Sequence, residues 1–153
     1  VAAWGAEAEN LAAILIVDDN SEIADAVRVR AIHAADGVGE VDVWSITNPA
    51  APAALFTDLA AGARSLRQPS FPFGEYLVAI DADNDESADF GFDLPALTTA
   101  ANINVFAVID DGAVTLYAQI GATVLPIAGV PEPGLRAGGA PRGPRGRRGH
   151  LRE

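Results

Sequence analysis

The densest chemical signal in the sequence is Asp81-Ala82-Asp83-Asn84-Asp85-Glu86-Ser87-Ala88-Asp89. Carboxylates at 81, 83, 85 and 89 fall at positions 1, 3, 5 and 9 of a calcium loop, where oxygen ligands converge on a hard cation. That spacing makes Asp81, Asp83, Asp85 and Asp89 candidate Ca²⁺ ligands. Two positions depart from the pattern. Glu86 stands at position 6, where the sharp turn favours Gly, and Phe92 at position 12, where a bidentate Glu closes the shell. Five like charges within nine residues repel one another, and either water with salt or a bound cation relieves them. The alternative to a calcium loop is therefore a solvated acidic turn.

A second candidate is His33, with Asp36 and Asp42 close by in the chain. A His–carboxylate pair can serve as a general base, which would make the protein a small hydrolase. The only other histidine is His150, so one chain cannot assemble a multi-histidine metal centre. A histidine at the end of a strand more commonly ties down the following loop. Ser45, Ser65 and Ser70 show no spacing that places a Ser–His–acid arrangement. The chain has no Cys and no Lys, which excludes thiolate catalysis, thiolate-ligated metals, Schiff bases and a phosphate-loop lysine.

The elements that position these residues read as strands. In Val27-Arg28-Val29-Arg30-Ala31-Ile32-His33 the two valines and Ala31 share one face with a period of two, and the two Arg share the other. Val114-Thr115-Leu116-Tyr117-Ala118-Gln119-Ile120 alternates in the same way. It follows Ile103-Asn104-Val105-Phe106-Ala107-Val108-Ile109 across Asp110-Asp111-Gly112, a hairpin signal. Further strands are expected at 14–17, 41–46, 76–80, 90–93 and 123–127, with turns at 36–37, 47–49, 69–74 and 83–84. Asn48 and Pro49 lead an Ala-rich stretch that predicts one short helix around 53–61. The expected fold class is all-β, an immunoglobulin-like antiparallel β-sandwich with at most one short helix. Phe71-Pro72-Phe73-Gly74 is expected to send one ring into the end of its core.

Ile14-Leu15-Ile16-Val17-Asp18-Asp19-Asn20 imitates the first strand of a phosphoacceptor receiver domain, with residues 21–35 as its helix. That chemistry needs a lysine to steady the phosphoryl group, and there is none. Residues 1–17 are instead similar to residues 105–121, two apolar runs joined by an acidic turn. The domain reading is a terminal hairpin over 1–23, equivalent to the end of a preceding repeat unit, then a β-sandwich over 24–130. Residues 131–153 form a Gly/Pro/Arg-rich segment without period 2 or 3.6, expected to be a flexible tail.

The 153 residues carry a net charge of −11, unevenly spread. Residues 1–131 hold 19 Asp/Glu against four Arg, whereas 132–153 hold six Arg against two Glu. An acidic body repels phosphate, so no nucleic-acid partner is expected. No stretch approaches the apolar length needed to span a bilayer.

Residues 26–36, followed by Val41-Asp42-Val43-Trp44, resemble the opening of the bacterial DUF4397 domain family, which runs RVRVVHASPDAPAVDVYV. Residues 54–62, Leu55-Phe56-Thr57-Asp58-Leu59 among them, resemble its second signature, LFTDVAFG. Residues 10–19 are similar to the strand that precedes such a domain in tandem proteins. Ala34-Ala35-Asp36-Gly37 replaces the family's Ser-Pro-Asp-Ala, and the Arg/Gly/Pro segment lies outside the pattern. The resemblance implies an immunoglobulin-like module, often repeated, in secreted or cell-envelope proteins, with no catalytic role. It makes Arg28, Arg30, His33, Asp42, Trp44 and Gly62 structural residues. The function expected is a non-enzymatic spacer, adhesion or assembly module that self-associates through sheet edges or the N-terminal hairpin. The alternatives are a calcium-dependent ligand- or carbohydrate-binding module at 81–89 and the His33 hydrolase.

Overall fold

A computed structural model describes residues 2–4, 12–17, 19, 21, 23–48 and 50–130. Within them the chain is all-β, with eleven strands and no helix. The strands are β1 (Ala2–Trp4), β2 (Ala12–Ile14), β3 (Ala26–Ala34), β4 (Val41–Ser45), β5 (Ala53–Leu59), β6 (Ser70–Pro72), β7 (Gly74–Asp81), β8 (Phe90–Leu97), β9 (Ala101–Asp110), β10 (Ala113–Ile120) and β11 (Thr123–Val130). β1 and β2 form a two-stranded sheet of their own. The other nine form one sheet in the order β5-β4-β7-β8-β11-β10-β9-β3-β6.

Strand alternation explains both faces. Val27, Val29 and Ala31 of β3, Ile103 of β9, Leu116 and Ala118 of β10 and Ile127 of β11 point inward. They pack with Val41, Leu59, Val78, Ile80 and Phe92 from the other half of the sheet in one apolar core. The sheet therefore curls over itself, and β11 makes the bend. Its residues 123–127 pair with β10, and its last three, 128–130, pair with β8. An apolar cavity of about 60 Å³ remains at the centre, with Val29, Phe56, Val78 and Leu116 in its wall. A space of that character stays dry.

The turns obey their local chemistry. Asp111 and Gly112, between paired Asp110 and Ala113, take φ of 49° and 78°, positive at both central positions as a type I′ hairpin turn requires. Gly121 takes φ 59° at the first central position of the β10–β11 turn.

Three expectations are corrected. The Ala-rich stretch around 53–61 forms no helix: Ala53–Leu59 is an edge strand beside β4, because sheet pairing and the inward Leu59 override alanine's helix propensity. The sheet is not wholly antiparallel, since β3 and β9 run parallel over eight pairs from Val27↔Ala101 to Ala34↔Val108. The strand expected at 14–17 lies earlier, at Ala12–Ile14. β6 escaped the sequence reading because its three residues end at a proline. Phe71 packs against the core and meets Tyr76 edge-on, ring centroids 5.9 Å apart, whereas Phe73 is exposed.

β3 is the most enclosed strand. β9 takes one side, and β6 covers only residues 26–28 of the other. The rest of that edge is sealed by the segment after β5. Val29 N–H donates to Pro69 O (3.0 Å), His33 N–H to Ala63 O (2.9 Å) and Ser65 N–H to Ala31 O (2.8 Å). Ala31 N–H donates to the Ser65 hydroxyl (3.2 Å), which itself donates to Arg67 O (2.8 Å). Ser65→Ala would leave the buried Ala31 N–H unpaired, so urea unfolding should show a loss of about 1–3 kcal/mol.

Candidate functional site

The acidic run closes the β7–β8 hairpin. Ile80 pairs with Phe90, and the loop 81–89 folds back over Asp81, which is buried at 2% exposure. The Asp81 carboxylate accepts N–H groups from Glu86 (2.9 Å) and Asp83 (3.3 Å), and Asp89 accepts one from Ala82 (2.7 Å). Asp89 N–H in turn donates to Ile80 O (2.9 Å). Asn84 and Glu86 hold φ of 57° and 64° to make the bend. The chain thus turns left-handed at Glu86, the position where a calcium loop uses Gly, although a side chain there costs about 1–2 kcal/mol.

This folding brings together one carboxylate oxygen each from Asp81, Asp83 and Asp89, all within 4.8 Å of one another. Asp85, the fourth residue expected from the spacing, lies outside that group. The left-handed residues on either side of it redirect the backbone, and its side chain is exposed. Phe92 is in the core at 4% exposure, so the loop's far end contributes no bidentate carboxylate. The three-oxygen group is a partial oxygen shell that a hard cation such as Ca²⁺ would have to complete with water or backbone carbonyls.

Residual desolvation, with the Asp85, Asp89 and Asp81 charges nearby, raises the Asp83 pKa above the ordinary carboxylate value, against a backbone N–H from Asp85 that lowers it. Asp19 is lowered, first by the Ser21 N–H and hydroxyl and then by Arg28. The Tyr117 hydroxyl donates to Asp110 (2.7 Å), which raises its pKa.

His33 is 1% exposed. Its Nδ1 accepts Ala35 N–H (3.3 Å), so the proton sits on Nε2, which donates to Gly39 O (2.7 Å). Both nitrogens are bound to backbone, and the space beside the ring is the apolar cavity. His33 thereby fixes residues 35–39, the connection into β4. Gly62, at φ 75°, donates its N–H to His33 O (2.8 Å).

The other residues singled out in the sequence sit apart. Arg28 reaches Asp19 Oδ2 (3.2 Å), Ser21 Oγ (2.9 Å) and Asp19 O (3.2 Å), fastening the N-terminal segment to the body. Arg30, 6% exposed, donates to Gln68 Oε1 (3.0 Å). Asp42 stands opposite Asp81 in register, and its carboxylate accepts Asp58 N–H (2.8 Å) at the β5 bulge, where Asp58 takes φ 55°. Trp44 lies opposite Ala79 on the outer face. Sequence reasoning missed the Asp42–Asp81 pairing, which joins positions 39 residues apart and carries no local signal.

Comparison with protein-family models, curated proteins and solved structures finds no match for this chain.

The raised Asp83 pKa sets a pH signature. A folded-state value above the unfolded one favours folding below the unfolded carboxylate pKa, and that contribution is lost as pH rises through the folded value. Asp83→Asn should therefore melt higher than the parent at pH 7, with the difference shrinking on acidification through the carboxylate range. Thermal scans across that range check it.

Proposed function

We propose that this domain is a non-enzymatic module of a secreted or cell-envelope protein that works by associating with copies of itself. The observation that carries this reading is an unsealed sheet edge. At one end of the nine-strand order the edge is β6, only three residues long, and residues 62–69 close the rest of β3. At the other end the edge is the seven-residue β5, which among the described residues pairs with β4 alone. Its residues 53–57 include no charge, so Asp58 with its bulge is the strand's one guard against edge pairing. A second unpaired element lies in the same chain. The β1–β2 hairpin belongs to neither end of the large sheet, and a two-stranded hairpin alone is marginal in water. Strand addition would satisfy both. His33, bound through both nitrogens, supports a structural role over the hydrolase reading. The resemblance to secreted and envelope modules is the basis for the location.

Sedimentation of the full chain from micromolar to millimolar concentration should show reversible association. Ala54→Lys, on the exposed part of β5, should weaken it about tenfold or more, equal to about 1.4 kcal/mol, without moving the urea midpoint. A parent chain that stays monomeric, or a variant that associates equally well, defeats the proposal.

The convergence of Asp81, Asp83 and Asp89 favours a second reading, calcium-dependent binding of a ligand or carbohydrate. Extracellular calcium modules bind at roughly 10⁻⁴–10⁻³ M. A hundredfold excess over Kd would then stabilise the fold by about 2.7 kcal/mol, raising the melting temperature of the parent but not of Asp81→Asn. No calorimetric heat and no melting shift at about 100 mM Ca²⁺, a hundredfold excess over the weakest such site, would end this reading.

A further inference from the structure

The charges of the body are segregated by the fold. The half of the sheet built from residues 41–59 and 74–97 contains nine Asp/Glu and no Arg. All four body arginines, Arg28, Arg30, Arg64 and Arg67, lie on β3 or in the segment that seals it. Because core side chains alternate with outward ones, the outer face of this half can be read from the register. Val130 of β11 pairs with Gly91, Gly91 with Ala79, and Ala79 with Trp44, one row across four strands. Beside it on one side the half-buried Asp42 stands opposite Asp81, which is buried and bonded within its loop, and on the other the exposed Asp93 stands opposite Leu77.

The described chain ends in that row, at Val130. The 23 residues that follow hold six Arg, from Arg136 to Arg152, against two Glu. We propose that the outer face of this acidic half is the docking site of the chain's own segment 131–153. The arginines are drawn to the exposed Asp93 and the half-buried Asp42 that flank the row, and Trp44 offers the one large aromatic on it for a guanidinium to stack against.

Reach supports docking within one chain. From β11 to β4 is three inter-strand steps, roughly 14 Å at ~4.8 Å each. A Gly-rich chain spans about 5–6 Å times the square root of its length, so the run 142–148 is reached at roughly 17–25 Å from Val130. The same segment on a second copy has no such advantage in effective concentration. A polyanion attracted by the arginines, or a cation attracted by the carboxylates, would first have to separate the two. This inference is independent of association through β5.

The chain has no cysteine, so Gly146→Cys carries a nitroxide at one defined place in the full-length protein. Amide signals of Asp42, Trp44, Ala79 and Gly91 should be broadened, and those of Thr115 and Tyr117 on the opposite outer face should be spared. The effect should disappear in about 1 M NaCl, where the Debye length falls to ~3 Å, and when the segment's arginines are replaced by Ser. A mixture of spin-labelled chain and isotope-labelled unmodified chain should show no broadening. Equal broadening of both faces, insensitivity to salt, or broadening in the mixture would each overturn docking of the segment on its own chain.

Discussion

The structure depends on satisfying the backbone of β3. This strand is buried over residues 29–33 and has no solvent to hydrogen-bond its peptide groups. β9 satisfies one side in parallel. The other side is completed by three residues of β6 and then by irregular chain, with Ser65 lending its hydroxyl where no backbone group reaches. His33 extends the same principle around the corner. Its backbone bonds residues 62 and 63 while its ring bonds 35 and 39, so one residue fixes the ends of two connections. Those connections determine where β4 and β5 begin and end, and so the shape of the acidic half of the sheet.

The acidic half shows how a fold can concentrate like charge without losing its core. Its inward residues, Val41, Leu59, Val78, Ile80 and Phe92, are as apolar as those facing them. The repulsion is confined to the outer face and the 81–89 loop, where N–H groups of Asp83, Glu86 and Ala82 point at the carboxylates of Asp81 and Asp89. Oriented peptide N–H groups hold the buried Asp81 carboxylate in place, while desolvation and then the neighbouring carboxylate charges raise the Asp83 pKa. An unbalanced negative face, an Arg-rich segment leaving from its border and an edge strand with little protection all lie in or beside this half. The opposite half carries the four body arginines and the short edge strand β6.

The all-β character was readable because it rests on a local property. Alternation over 27–33, 103–109 and 114–120 survives in β3, β9 and β10, and Asp111-Gly112 makes the turn that its residue types demand. The acidic cluster was legible to the extent that Asp81, Asp83 and Asp89 lie within one loop. For β5 the deciding contact was remote. Ala53–Leu59 is a strand because β4 is beside it, and composition alone favours a helix there. Asp85 lies outside the cluster for a local reason, the left-handed backbone of its neighbours Asn84 and Glu86, and Glu86 is a residue type that seldom adopts it.

The sequence by itself determined which residues face inward, where the chain turns, and that acid and arginine are parted along its length, since each follows from side-chain type and spacing. Tertiary structure alone decided that β3 lies parallel to β9, that Asp42 meets Asp81 across strands, that His33 spends both nitrogens on backbone, and that β5 is left at an open edge. These are pairings between segments far apart in the chain. Their partners are selected by the closure of one common core, a property of the whole sheet that no single stretch contains.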